Sequence, residues 1–159
     1  NFNIWGGLRQ YTPEGNYFLT PNPDMTLTVP AATENVITFG GYDNVTNAFY
    51  PKSGRGFTRE NRIKPDMTAP AVNVYGPGIS GGYTRRTGTS VACALGAGAC
   101  AQILQWGIVE DNEPYMKNNY IKNYLIRGAE RTRDIRYPSE QWGYGTINVF
   151  DSFLILTRT

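Results

Sequence analysis

The chain has 159 residues, 40% of them hydrophobic and 18% charged, which suits a globular domain with a core and excludes a disordered tail. Fifteen Lys and Arg against 13 Asp and Glu leave a net charge of +2, too small to point to nucleic acid or an anionic membrane. With no histidine and only two cysteines, a zinc site is not expected, and any histidine-based chemistry needs a histidine from elsewhere.

Residues 1–30 differ in character from the rest. Phe2, Ile4 and Trp5 alternate loosely before Gly6-Gly7, and Pro13, Pro21, Pro23 and Pro30 punctuate the remainder of the segment. Tyr17-Phe18-Leu19 and Thr26-Leu27-Thr28-Val29 read as short strands between turns. The pattern suits the end of a β-rich module, with a boundary near Pro30. No basic-then-apolar leader opens the sequence.

Val36 to Tyr42 is an apolar, β-branched and aromatic run stopped by Asp43-Asn44, the pattern of a strand buried on both faces. Asn47 to Asp66 is polar and reads as a surface excursion. Thr68 to Tyr75 is a second strand candidate, and Gly76 to Gly82 a turn-rich loop. Ser90 to Trp106 is the clearest helix. Its first half is so rich in Ala and Gly that it has almost no polar face, which predicts a helix buried all round. Such a helix needs a sheet about it, and the segment offers about three core strands. No apolar run is expected to reach the roughly 18 residues that a membrane span needs. Asp111 to Pro114 breaks the chain before a helix over Tyr115 to Gly128, where Gly128 is placed to end it in a left-handed cap. Trp142 to Gly145 is a tight turn, and Ile147 to Leu156 a terminal strand or helix.

Cys93 and Cys100, if on one helix, are separated by about 10 Å along its axis. A disulfide needs Cα atoms within about 7 Å, so two buried free thiols are expected.

Arg86 to Ala92 reads Arg-Thr-Gly-Thr-Ser-Val-Ala. It puts Ser90 in the first turn of the small-residue helix, near unpaired backbone N–H groups and the positive end of the helix dipole. That environment suits a nucleophile whose attack on a carbonyl leaves an oxyanion. Spacing alone favours the simpler reading, a helix N-cap. A phosphate loop requires Lys directly after the glycine, whereas Thr89 follows Gly88.

The wider context narrows the choice. Lys64-Pro-Asp-Met-Thr-Ala-Pro70, Val72-Asn-Val74, Gly88-Thr-Ser-Val-Ala92 and Trp142-Gly-Tyr-Gly-Thr-Ile-Asn148 occur in that order. Together they resemble the C-terminal part of the subtilisin-like serine proteases over roughly Val29 to Phe153. Val36 to Asp43 is similar to the family strand that ends in Asp. Within the family the sequence most resembles clostridial proteases related to spore germination, which carry a jelly-roll insertion before the nucleophile. Asn3-Ile-Trp5 and Asn22 to Val29 then correspond to the end of that insertion.

The resemblance implies an α/β fold: the C-terminal portion of a three-layer α/β/α domain with a mostly parallel sheet. It implies two parts, 1–29 closing the β-rich module and 30–159 belonging to the catalytic domain. Ser90 becomes the nucleophile of a serine endopeptidase, with its own N–H helping to hold the oxyanion. Gly88, Thr89 and Arg86 line the substrate site, and Arg85 and Arg86 face the leaving group or are simply solvated. The catalytic Asp and His and an oxyanion Asn come from an upstream segment. Asp66 is a structural turn residue. No cofactor or metal is implied. The partners are a protein or peptide substrate and the upstream segment, with no nucleic acid and no membrane. A secreted or spore-associated bacterial protein fits. The alternative is a pseudoprotease that keeps the fold as a scaffold or regulator. The sequence departs from the family pattern at Ala71, usually Gly, and at Ala94, usually Pro.

Overall fold

The structure, a computed structural model, describes residues 4–6 and 11–158; Phe2, Asn3 and Gly7 of the opening segment lie outside them. The element order is β1 (Phe39–Asp43), β2 (Ala48–Phe49), β3 (Met67–Pro70), β4 (Val74–Pro77), β5 (Tyr83–Arg86), α1 (Thr89–Leu104), α2 (Asn118–Gly128) and α3 (Val149–Leu156). α1 runs on into a single wider π-helical turn, Gln105–Val109.

A three-stranded sheet in the order β2-β1-β3 lies at the centre. β1 and β3 are parallel, with Phe39 opposite Met67 and Tyr42 opposite Pro70, whereas β2 returns antiparallel to β1. A parallel bridge from Thr68 to Thr146 carries the sheet one step beyond β3. β4 and β5 form a separate antiparallel hairpin. The arrangement is an α/β domain, as expected.

α1 crosses β1 and β3 closely because its facing residues are small. A Cβ on Gly96 would lie 2.2 Å from the Phe39 ring, so only glycine allows this approach. The main core joins Met67 on β3 to Ala99 and Ile103 on α1, Ile121 and Leu125 on α2, and Leu156 on α3. α3 starts at an Asn148 cap, whose Oδ1 accepts the Asp151 N–H at 3.0 Å. The last residue of the Gly-Tyr-Gly-Thr-Ile-Asn run is thus a helix cap.

Several expectations need correction. α1 is not buried all round: Ala92, Gly96, Ala99 and Ile103 form one covered stripe, while Cys93, Ala94, Leu95, Ala97, Gly98 and Leu104 are exposed. Composition shows that a helix can be covered on every side; it does not show what covers it. Cys93 is accordingly an exposed thiol, not a buried one, and Cys100 is half-buried, both unpaired. Burial raises the Cys100 thiol above its ordinary pKa. The helical run Thr89–Val109 is long and apolar enough to cross a membrane, contrary to the sequence expectation, although its buried stripe packs on the sheet. Tyr17-Phe18-Leu19 and Thr26 to Val29 are turns and extended chain, not strands, because no neighbouring strand pairs with them among the described residues. Gly128 does not end α2 in a left-handed cap; Ala129 follows in extended conformation. The glycine is needed for proximity instead, since a Cβ there would lie 2.4 Å from Ser152 Oγ on α3.

Candidate active site

The turn that presents Ser90 is set by β3 and β1. Ala71, just past β3, donates its N–H to Tyr42 O at 2.8 Å and accepts the Gly88 N–H at 2.8 Å. Gly88 is the N-cap of α1, with φ 156° and ψ 157°. Essentially only glycine takes that conformation, because a Cβ would clash with the backbone. The chain is thereby turned sharply from the hairpin into the helix.

Thr89 and Ser90 follow as the first two helical residues. Gly88 O receives the Val91 N–H at 3.0 Å, whereas the N–H groups of Thr89 and Ser90 precede any intrahelical acceptor. No side chain caps this end, so the N-cap explanation of the serine does not hold: Gly88 occupies the cap and Ser90 stands two residues further on. Ser90 is exposed at the positive end of a 16-residue helix. Thr89 packs inward and lines an open cavity of about 460 Å³ whose walls include Thr28, Phe39, Ser53 and Arg55. A larger concavity, lined by residues such as Thr12 and Tyr17, holds none of these groups.

Arg86 ends β5 opposite Val74 and is exposed, within four residues of Ser90. Arg85 pairs in register with Tyr75, lies 6.0 Å over its ring, and donates to Asn73 O at 3.4 Å. β5 had no alternating apolar signal and was legible only as the edge of a turn-rich loop.

Asp66 is more than a turn residue. Its side chain is fully buried, with Oδ2 accepting from the Thr38 N–H and from Lys64 Nζ, both at 2.7 Å. Lys122 Nζ, from α2, closes on Oδ1 as an ion pair without hydrogen-bond alignment. Lys64 also donates to Val36 O at 2.6 Å. Burial lowers the Lys64 pKa, opposed by the hydrogen bond and charge of Asp66. This cluster ties β1, β3 and α2 together at the end of β3 away from Ser90. Lys122 lies too far along the chain for the local motif to have revealed it.

The two departures from the family pattern sit easily. The Ala71 methyl fills the space above Gly41, where a Cβ would come within 2.6 Å of it, and Ala94 is on the exposed side of α1. Among the described residues no group of His, Cys, Asp or Glu is arranged to hold a metal.

Comparison with known proteins agrees with the motifs. The Subtilase family model matches residues 14–145. The CspB protease of Clostridium perfringens has a TM-score of 0.84 and 37% identity, covering 89% of this chain and 31% of that one. The site-1 protease of Mus musculus is 30% identical over 138 residues, 83% of this chain and 12% of that protein. Serine protease AprX of Bacillus subtilis is 28% identical over 151 residues, 82% of this chain and 32% of its own length. The chain thus spans less than a third of each of these relatives. With the family model matching most of its length, the chain belongs to the subtilase family.

Proposed function

We propose that this chain is the nucleophile-bearing part of a serine endopeptidase. Ser90 Oγ attacks the peptide carbonyl and becomes acylated. A histidine on a segment outside this sequence takes the hydroxyl proton and passes it to the leaving amine, and an aspartate there orients the histidine. The Ser90 N–H, lacking an intrahelical acceptor, stabilises the oxyanion, joined by an asparagine from that same segment. Gly88 and Thr89 shape the turn against which substrate lies, and Arg86 meets the substrate beside it. Residues 1–29 close an inserted β-rich module and 30–159 belong to the catalytic domain.

The single observation that carries this is the placement of Ser90, exposed at the second position of α1, behind a glycine-only turn. The exposed apolar side of α1, from Cys93 through Leu104, supports a further segment packing there. Peptide hydrolysis by the full-length protein tests the assignment. Ser90→Ala is expected to lower kcat/KM by at least about 10³-fold with little change in melting temperature. Equal activity in the variant contradicts it, and a wild-type protein without hydrolysis favours the pseudoprotease.

A further inference from the structure

The β4–β5 hairpin has chemistry that the nucleophile turn does not require. The register places Tyr75 opposite Arg85, and Tyr83 two residues from Arg85 on the same strand, so all three share one face. Tyr75 and Tyr83 stack with centroids 5.2 Å apart and planes within 17°. Both rings are mostly exposed, at 65% and 69%. The Arg85 guanidinium lies 6.0 Å from the centre of the Tyr75 ring and donates to Asn73 O. Arg86, on the opposite face, points its charge into solvent at the edge of the turn.

No Asp or Glu occurs between Met67 and Val109. Among the described residues neither arginine is paired with a carboxylate, and the ion pairs lie elsewhere, at Glu60–Arg62 and around Asp66. Two uncompensated guanidinium groups, one braced by stacked rings, therefore stand within five residues of Ser90. An extended chain covers about 3.3 Å per residue, so they lie within reach of a substrate's first few residues from the scissile bond. Guanidinium recognises carboxylate through paired N–H donors, and bracing by an aromatic face lowers the cost of ordering it.

We propose that this ledge selects peptide substrates with acidic side chains close to the scissile bond, a carboxylate at one position seated on Arg85 beside the stacked tyrosines and one at a neighbouring position on Arg86 at the opposite face. The proposal takes the site of action from the endopeptidase assignment and adds the substrate class. A neutral substrate leaves both arginines solvated and gains nothing from them.

The test uses the full-length protein carrying Ser90→Ala, so that binding is read without turnover. Two fluorescent peptides of a sequence cleaved by the wild type, or failing cleavage a scanned peptide set, differ only in Asp or Asn at successive positions. Anisotropy is expected to show tighter binding of the Asp peptide, by about fivefold per arginine engaged, at one or two adjacent positions. Raising salt to about 0.5 M shrinks the ratio, as it does for exposed charge pairs. Arg85→Gln and Arg86→Gln each reduce it, and the double substitution abolishes it. Equal affinity for Asp and Asn peptides at every position overturns the proposal, as does a preference that survives the double substitution. A preference for Asp in a protein that hydrolyses nothing keeps the acidic ledge and removes the endopeptidase assignment instead.

Discussion

The two ends of β3 use opposite means to fix the backbone. At Asp66 the chain is held by buried charge, one carboxylate between Lys64 and Lys122 with a backbone N–H on the same oxygen as Lys64. At Ala71 it is held by backbone hydrogen bonds to Tyr42 and Gly88, with the small Ala69, Ala71 and Ala92 packed under Phe39, Tyr50 and Ile147. Charge clamps the end remote from Ser90. Small uncharged residues carry the end that presents it.

The largest expected effect comes from breaking the charged end. Asp66→Ala leaves two lysine ammonium groups beside each other, Lys64 fully buried, and should cost about 3–5 kcal/mol in denaturant unfolding of the full-length protein. A loss under about 1 kcal/mol would mean that the cluster is not holding β3.

Gly88→Ala sharpens the contrast at the other end. A methyl group in this conformation costs about 1–3 kcal/mol of backbone strain, and it would lie 3.1 Å from Ser90 Oγ. Peptide hydrolysis should fall well beyond what the stability loss explains, whereas Asp66→Ala should affect stability first. Parallel losses of activity and stability in both variants would erase the distinction.

The smallest effect concerns Tyr42, the last residue but one of β1, whose carbonyl accepts the Ala71 N–H and whose ring packs 5.8 Å from Trp142. Burial first, and then the charge of Glu130, raise its hydroxyl above the ordinary tyrosine value of 10.0. A group raised on folding contributes stability that is intact below its unfolded pKa and is lost as pH climbs from about 10 through its folded value. Lys64, lowered from 10.5, runs the other way, its contribution growing toward that pH. Tyr42→Phe should therefore flatten the decline in stability above about pH 10, read by urea unfolding at stepped pH. An unchanged slope would contradict the burial of the hydroxyl.

Much of this was legible in residue order. Val36 to Tyr42 announced β1 because a strand covered on both faces is a continuous apolar run, whereas Thr68 to Tyr75, expected as one strand, divides into β3 and the start of β4 in a separate hairpin. The glycine before Ser90 and the alanines after it announced α1. Other features depend on partners distant in sequence. Tyr83 to Arg86 is a strand because β4 lies beside it, and its own polar side chains give no strand signal. Thr26 to Val29 has strand-like residues and no strand to pair with among the described residues. The exposed side of α1 shows the same limit, since amino-acid type sets what a helix face tolerates and only packing decides whether it is covered. At the site, Ser90 and Gly88 were readable from the motif. The Lys122 contact and the stacked tyrosines required the fold.

The central claim is that Ser90 is an activated nucleophile. Fluorophosphonate labelling of the native full-length protein, followed by peptide mapping, tests it most directly. The expected result is one phosphonylated residue, Ser90, with labelling lost on unfolding and in Ser90→Ala. An intact, folded protein that takes no label at Ser90, or takes it on another serine, would contradict the account.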